Sequence, residues 1–196
     1  TLDLGLFPLN FDIITVFMTT GSIAFLIGCA FSGRIGKLLG KRNGLITLTL
    51  INAVAVMSFY AIPPESIKLI FCVNIFASLV AGPTPAIVWA LYTDVADYNE
   101  WKFNRRSTGL IFSATMFAQK FGYTIGASAA ASMLALFGYV ANQAQTPEAL
   151  GGILMMYSII PGGLALANGI ILFWFPLTQK QTDTIQADLE VRRAAN

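Results

Sequence analysis

Five long apolar stretches leave this chain few ways to fold. They run from about Ile13 to Ser32, Leu45 to Ile62, Ile67 to Tyr92, Thr108 to Val140 and Leu150 to Phe175. A helix that crosses hydrocarbon needs about 20 mostly apolar residues, and each stretch is near or above that length. None alternates with the two-residue period of a barrel strand. Composition points the same way: 56% of the 196 residues are hydrophobic and 11% are charged, against about 25% charged in a soluble domain. Mean hydropathy is +0.67. The sequence therefore predicts an all-α, polytopic membrane protein of about five transmembrane helices, with a lipid bilayer as part of its solvent.

The connections sort by charge. Arg34, Lys37, Lys41 and Arg42 lie between the first and second stretches, Lys102, Arg105 and Arg106 between the third and fourth, and Lys180, Arg192 and Arg193 after the fifth. The other connections hold Asp3, Asp12, Glu65, Lys68 and Glu148. Basic loops face the cytoplasm, so the N-terminus is expected outside and the C-terminus inside. A net charge of +2 without a basic patch gives no footing for nucleic acid. There is no histidine, which removes the commonest metal ligand. Cys29 and Cys72, far apart in apolar runs, read as two buried thiols and not as a disulfide or a zinc site. The first stretch lacks the flanks of a signal peptide, and the opening TLDLGLFPLNFD reads like the interior of a longer sequence.

One cation interrupts this order. Lys120 lies in MFAQKFGYTIG, roughly 18 Å along the fourth helix at 1.5 Å per residue. That is near the middle of a hydrocarbon core about 30 Å thick. A charge there costs at least about 2.5–3.5 kcal/mol on insertion scales. Such a residue marks a pathway or binding site, or else a structural ion pair with an acid on another helix. Helical spacing puts Ser113, Lys120, Tyr123 and Thr124 on one strip with Gln119 at its edge. A polar strip with rings and a cation suits hydroxylated ligands. Individually, the Ser and Thr residues also suit ordinary helix–helix bonding. Gly122 and Gly126, at GxxxG spacing, suit close approach of another backbone. Gly82, Pro83 and Pro85 interrupt the third stretch, and Gly162, Gly163, Gly169 and Pro161 the fifth. Asn52, Asn74 and Asn168 are expected to make interhelical hydrogen bonds.

The densest polar feature is LYTDVADYNEWKFNRRSTGL, residues 91–110, where Asp94, Asp97 and Glu100 precede Lys102, Arg105 and Arg106. Acids at this spacing share one side of a helix and are able to hold Mg²⁺ and a diphosphate, as in membrane prenyl transferases. That chemistry needs a second acidic cluster, which the sequence lacks, and three bases stand ready to neutralise the first. A solvated turn and a moving gate are the other readings.

The segment DVADYNEWKFNRRSTGLIFSATMFAQKFG resembles the tenth-to-eleventh helix connection of the glycoside–pentoside–hexuronide:cation symporters, the melibiose-permease branch of the major facilitator superfamily. The matching residues are Asp94, Asp97, Tyr98, Glu100, Trp101, Lys102, Arg105 or Arg106, and Lys120. GRIGKLLGKR resembles the family's loop between helices eight and nine, LFGYVANQAQTPEAL its outer loop before the last helix, and FPLTQKQTDTIQADLEVRR its tail. The resemblance runs in order from about residue 10 to the end.

It implies helices 8–12 of a twelve-helix fold. Residues 1–12 would be an external segment, 13–177 an incomplete C-terminal half-bundle, and 178–196 a cytoplasmic tail helix. It further implies a secondary active transporter of the bacterial-type inner membrane, not an enzyme, without cofactor. Such a protein carries a sugar or glycoside with Na⁺ or H⁺ by alternating access. The cation carboxylates would lie mainly in the missing N-terminal half of the transporter. Lys120 matches the family's helix-eleven lysine, with Gln119, Tyr123, Thr124 and Trp89 as possible substrate contacts. Asp94, Asp97, Glu100, Lys102, Arg105 and Arg106 would form a cytoplasmic gate. The family's helix-ten tryptophan position is Pro85 here, with Trp89 one turn later, and a helix-eleven threonine is Met116, with Thr115 beside it. The resemblance therefore does not single out melibiose. A major facilitator transporter of another small solute, a non-transporting sensor and a Mg²⁺-dependent membrane transferase are the alternatives.

Overall fold

The computed structural model describes residues 12–194. Of the expected external segment 1–12, only Asp12 falls within them. Among the described residues the order is α1 (Ile13–Ala30), α2 (Ser32–Leu39), α3 (Lys41–Ser58), a 3₁₀ turn (Phe59–Ala61), α4 (Ile67–Ala81), α5 (Thr84–Phe103), α6 (Thr108–Leu136), α7 (Pro147–Tyr157), α8 (Ile159–Leu172) and α9 (Gln179–Ala194), with no strand. Four segments are long and apolar enough to cross a membrane: Ile13–Ala30, Lys41–Ala61, Ile67–Phe103 and Pro147–Leu172. Helix α6 has the length, 29 residues, but Gln119, Lys120 and its many Gly, Ser and Thr residues make it less apolar than those four.

The third stretch splits where the prolines fall. Pro83 and Pro85 have no N–H to continue the ladder, so α4 stops at Ala81 and α5 starts at Thr84. The Thr84 hydroxyl donates to the Ala81 carbonyl at 2.7 Å, the group that Pro85 leaves without a partner. Helix α5 then continues to Phe103, past the expected end at Tyr92, so the three acids lie on a helix and not in a turn. The fifth stretch breaks at Ser158, which is fully buried, three residues before Pro161. Helix α6 ends at Leu136, short of the expected Val140.

Helices α1 and α4 meet backbone to backbone. A side chain at Gly28 would run into the carbonyl group of Leu79, its Cβ 3.0 Å from the carbonyl carbon, and one at Gly82 would lie 2.7 Å from the Cys29 nitrogen. Only hydrogen fits at either crossing position. The same seam is bonded by Asn74, which donates to the Phe17 carbonyl at 2.9 Å, and by the Cys29 thiol, which donates to the Gly82 carbonyl at 2.9 Å. Asn52 donates to the Ala77 carbonyl at 3.3 Å, joining α3 to α4. Asn168 instead faces a cleft. A core of Leu45, Leu48, Val80, Ile87 and Leu91 ties α3, α4 and α5 together.

Large apolar residues such as Met18, Leu26, Val54 and Leu164 point outward, as lipid-facing residues do. This also corrects the cysteine expectation. Both thiols are free, but Cys72 is exposed and lines an apolar groove with Ile51, Val54 and Phe76. In a lipid-solvated chain an apolar side chain gains as much facing out as facing in.

Helix α6 stands apart. It has no buried residue. It leans on α5 through Phe112, which stacks on Trp89 at 5.7 Å between ring centroids and meets Tyr92 at 6.4 Å. Its far end touches α7 through Phe137 against Gly152. Nothing lies within 4 Å of where a side chain at Gly122 or Gly126 would be, so among the described residues the expected close-packing partner of that GxxxG is not found.

Candidate functional site

The charge cluster forms because α5 presents its acids to two other elements. Asp94 is 3% exposed. Lys41, at the start of α3, donates to both its oxygens at 2.7 and 2.8 Å, and Gln186 of α9 reaches one of them at 3.5 Å. One helical turn on, Asp97 lies 3.4 Å from the Arg193 guanidinium and 3.7 Å from that of Arg106. Glu100, a further turn on, takes hydrogen bonds from Arg193 at 2.6 and 3.2 Å and lies 3.7 Å from Arg106. The bond to Glu100 raises the pKa of Arg193 above its ordinary value, with Asp97 adding to the effect. Three carboxylates are thus met by three cations from three parts of the chain.

Only one of the three bases expected to neutralise these acids does so. Arg106 is that one. Lys102 donates to the Tyr98 hydroxyl at 3.3 Å, with its ammonium 5.5 Å from the Tyr98 and Phe103 ring centroids. The Arg105 carbonyl accepts from Asn99 at 3.0 Å, and among the described residues its guanidinium forms no ion pair. The reason is helical geometry. Lys102 is still on α5, where position i+4 from Tyr98 faces that ring, and Arg105 follows Asn104, whose left-handed φ of 51° ends the helix.

The partners missed in the sequence, Lys41, Gln186 and Arg193, come from distant segments. Helix α9 docks by Leu177, Ile185 and Leu189 onto Val95, Tyr98, Trp101 and Phe175. Trp101 donates to Asp188 at 3.1 Å, and Arg192 donates to the Trp101 carbonyl and the Asn104 side chain at 3.3 Å each. The spacing of Ile185, Leu189 and Arg193, four residues apart each time, placed all three on one helical face. That signal was available in the sequence.

The second candidate lies on α6. Lys120, Gln119, Tyr123 and Thr124 are all exposed. Gln119 donates to the Tyr123 hydroxyl at 3.3 Å, and the Thr124 hydroxyl donates to the Lys120 carbonyl at 3.0 Å. Among the described residues the Lys120 ammonium makes no hydrogen bond or ion pair. Trp89 reaches α6 at Phe112, eight residues before Lys120 and so about 12 Å from it along the helix. Residues 119, 120, 123 and 124 therefore come together, and Trp89 stands two turns away. The ion-paired acids are at the α5 end, apart from this strip.

A cleft of about 530 Å³ opens between α3, α5 and α8, with Asn52, Thr84, Tyr92 and Asn168 as its polar lining. Among the described residues, no group of three or more His, Cys, Asp or Glu side chains is placed to hold a metal ion.

Membrane-length helices, an ion-paired helix end and an open polar face carrying a lone lysine define a polytopic protein of transporter type. Residues 7–179 match the family described as MFS/sugar transport protein. The chain belongs to that family, within the major facilitator superfamily. It is 32% identical to the putative glycoside/cation symporter YagG of Escherichia coli (strain K12) over 185 residues, 94% of this chain and 40% of that protein. It is 32% identical to the glucuronide carrier protein homolog of the same organism over 155 residues, 79% of this chain and 34% of that protein. Its identity to the isoprimeverose transporter of Lactiplantibacillus pentosus is 31% over 160 residues, 81% of this chain and 33% of that protein. The chain thus spans no more than about two fifths of these relatives' length. They are named as carriers, symporters or transporters, and none as an enzyme.

Proposed function

We propose that this chain is the C-terminal part of a secondary active transporter that moves a sugar or glycoside together with Na⁺ or H⁺ by alternating access. The single observation that carries the reading is Lys120, an unpaired cation midway along a membrane-length helix whose exposed face also holds Gln119, Tyr123 and Thr124. In lipid alone that position is costly. Against a second half of the transporter, lining a watery path at the bilayer midplane, it becomes a hydrogen-bond donor for a hydroxylated cargo. The names of the relatives, a glycoside/cation symporter, a glucuronide carrier homolog and an isoprimeverose transporter, support a carbohydrate or uronide cargo. Helix α6 holds no carboxylate, so the coupling cation would find its ligands mainly in the N-terminal half.

The orientation that goes with this reading has the N-terminus outside and the C-terminus in the cytoplasm of a bacterial-type inner membrane. The α5 end is then a cytoplasmic gate, with Asp94, Asp97 and Glu100 holding it shut through ion pairs that break when the cavity opens inward. Substrate contact falls to Lys120, Gln119, Tyr123 and Thr124, with Trp89 and its ring neighbours lining the path closer to the gate.

The test is uptake by the full-length transporter in membrane vesicles. Counterflow with glycosides, pentosides and glucuronides identifies the cargo, and Lys120→Ala should reduce uptake sharply. Near-normal uptake by Lys120→Ala would remove that residue from the mechanism. Counterflow that is negative with every sugar would point to another small solute or to a sensor.

A further inference from the structure

Two arginines share the Asp97–Glu100 pair, and the fold holds them by unequal means. Arg106 sits in the short link between α5 and α6. It is half exposed, 3.7 Å from each acid, and it also donates to the Thr108 hydroxyl at 3.2 Å. Arg193 lies on a regular helix of 16 residues whose Leu177, Ile185 and Leu189 anchor is buried against α5, and it approaches Glu100 to 2.6 Å. Helix α9 is thus packed onto the element that bears the acids. The link that bears Arg106 joins α5 to α6, the helix without a buried residue.

We propose that Arg193 is the fixed counter-charge of the gate, a positioning residue that keeps Asp97 and Glu100 neutralised when Arg106 withdraws. The inference rests on the gate reading above and adds a residue and a division of labour to it. Opening the gate moves α6 and its link away from α5. Without a second cation, that motion would strand two carboxylates, one of them 8% exposed. Arg193 travels with α5, because α9 is docked there by apolar contacts that do not depend on the state of the gate. The acids then exchange a shared pair of cations for a single one instead of losing all compensation. Arg106 is left as the moving, breakable contact, as its longer distances and exposure suit.

The experiment uses the full-length transporter with Arg193→Ala, made both in the native background and in Arg106→Ala. With Arg106 as sole cation, the gate must strand its acids to open. Turnover should fall about tenfold, a coupling of ordinary size for groups in one network, while the dissociation constant for the cargo stays unchanged. In Arg106→Ala there is no such contact to break, and adding Arg193→Ala should change turnover less than about twofold. Arg193→Lys keeps the charge and should recover most of the native rate. A merely structural role for α9 would slow both backgrounds by the same factor, and that result, or an unslowed Arg193→Ala, overturns the proposal.

A readout that needs no cargo is the alkylation rate of a single cysteine at Leu110, an exposed position in the first turn of α6. If Arg106→Ala leaves that rate untouched, the gate fails and this inference fails with it. If Arg106→Ala changes the rate and Arg193→Ala does not, only the role of Arg193 is refuted.

Discussion

Lys41→Ala should be among the most damaging single changes at the α5 end, and its cost should shrink in acid. The substitution removes the ammonium that touches both Asp94 oxygens, leaving a carboxylate whose side chain is 2% exposed with only the Gln186 amide at 3.5 Å. Breaking a buried pair in this way costs about 3–5 kcal/mol. Proton uptake limits the loss. A carboxyl with an ordinary pKa near 3.9 is neutralised at pH 7 for about three units of 1.36 kcal/mol, roughly 4 kcal/mol. The expected loss at pH 7 is therefore about 3–4 kcal/mol. At pH 5 the same limit falls to about 1.5 kcal/mol, so the sign is a variant that becomes relatively more stable as the pH drops. The double variant Lys41→Met, Asp94→Leu removes both charges and should return to within roughly 1 kcal/mol of the native protein. Denaturant unfolding of the purified full-length transporter, followed by tryptophan emission, measures all three at both pH values. A Lys41→Ala loss that is equal at pH 5 and pH 7 would refute the uncompensated-charge argument. A double variant as unstable as the single one would refute it too.

Neutralising Arg106 should alter the transport rate more than Arg105→Ala does, because only Arg106 of the two meets the acids; equal effects on initial uptake would favour a solvated turn. Gly28→Ala should destabilise the protein by about 1–3 kcal/mol through overpacking against backbone that has no room to yield. Gly151→Ala, where a methyl group meets nothing within 4 Å, should be neutral or stabilising by up to about 1 kcal/mol, and thermal melts of the pair give the comparison. Leu189→Ala should weaken the docking of α9 by about 2–5 kcal/mol, seen as faster limited proteolysis between Phe175 and Gln179.

The sequence by itself determined the class of solvent, the helical content and the position of Lys120. These depend on counts and on local periodicity, which survive without knowledge of any neighbour. Ten basic residues confined to three connections, two prolines within one apolar run and one lysine within another are readable in one dimension. The tail face of Ile185, Leu189 and Arg193 was readable in the same way.

Only the tertiary structure decided which charges meet. Asp94 had three bases within a dozen residues, yet its partner is Lys41, 53 positions away, because α3 and α5 pack side by side. Glu100 is held most closely by Arg193, 93 positions on, because α9 folds back onto α5. Lys102 is adjacent in sequence but is turned by the helix toward Tyr98. Pair energies depend on distance and burial, which chain separation does not encode, so the composition of the gate was legible and its wiring was not.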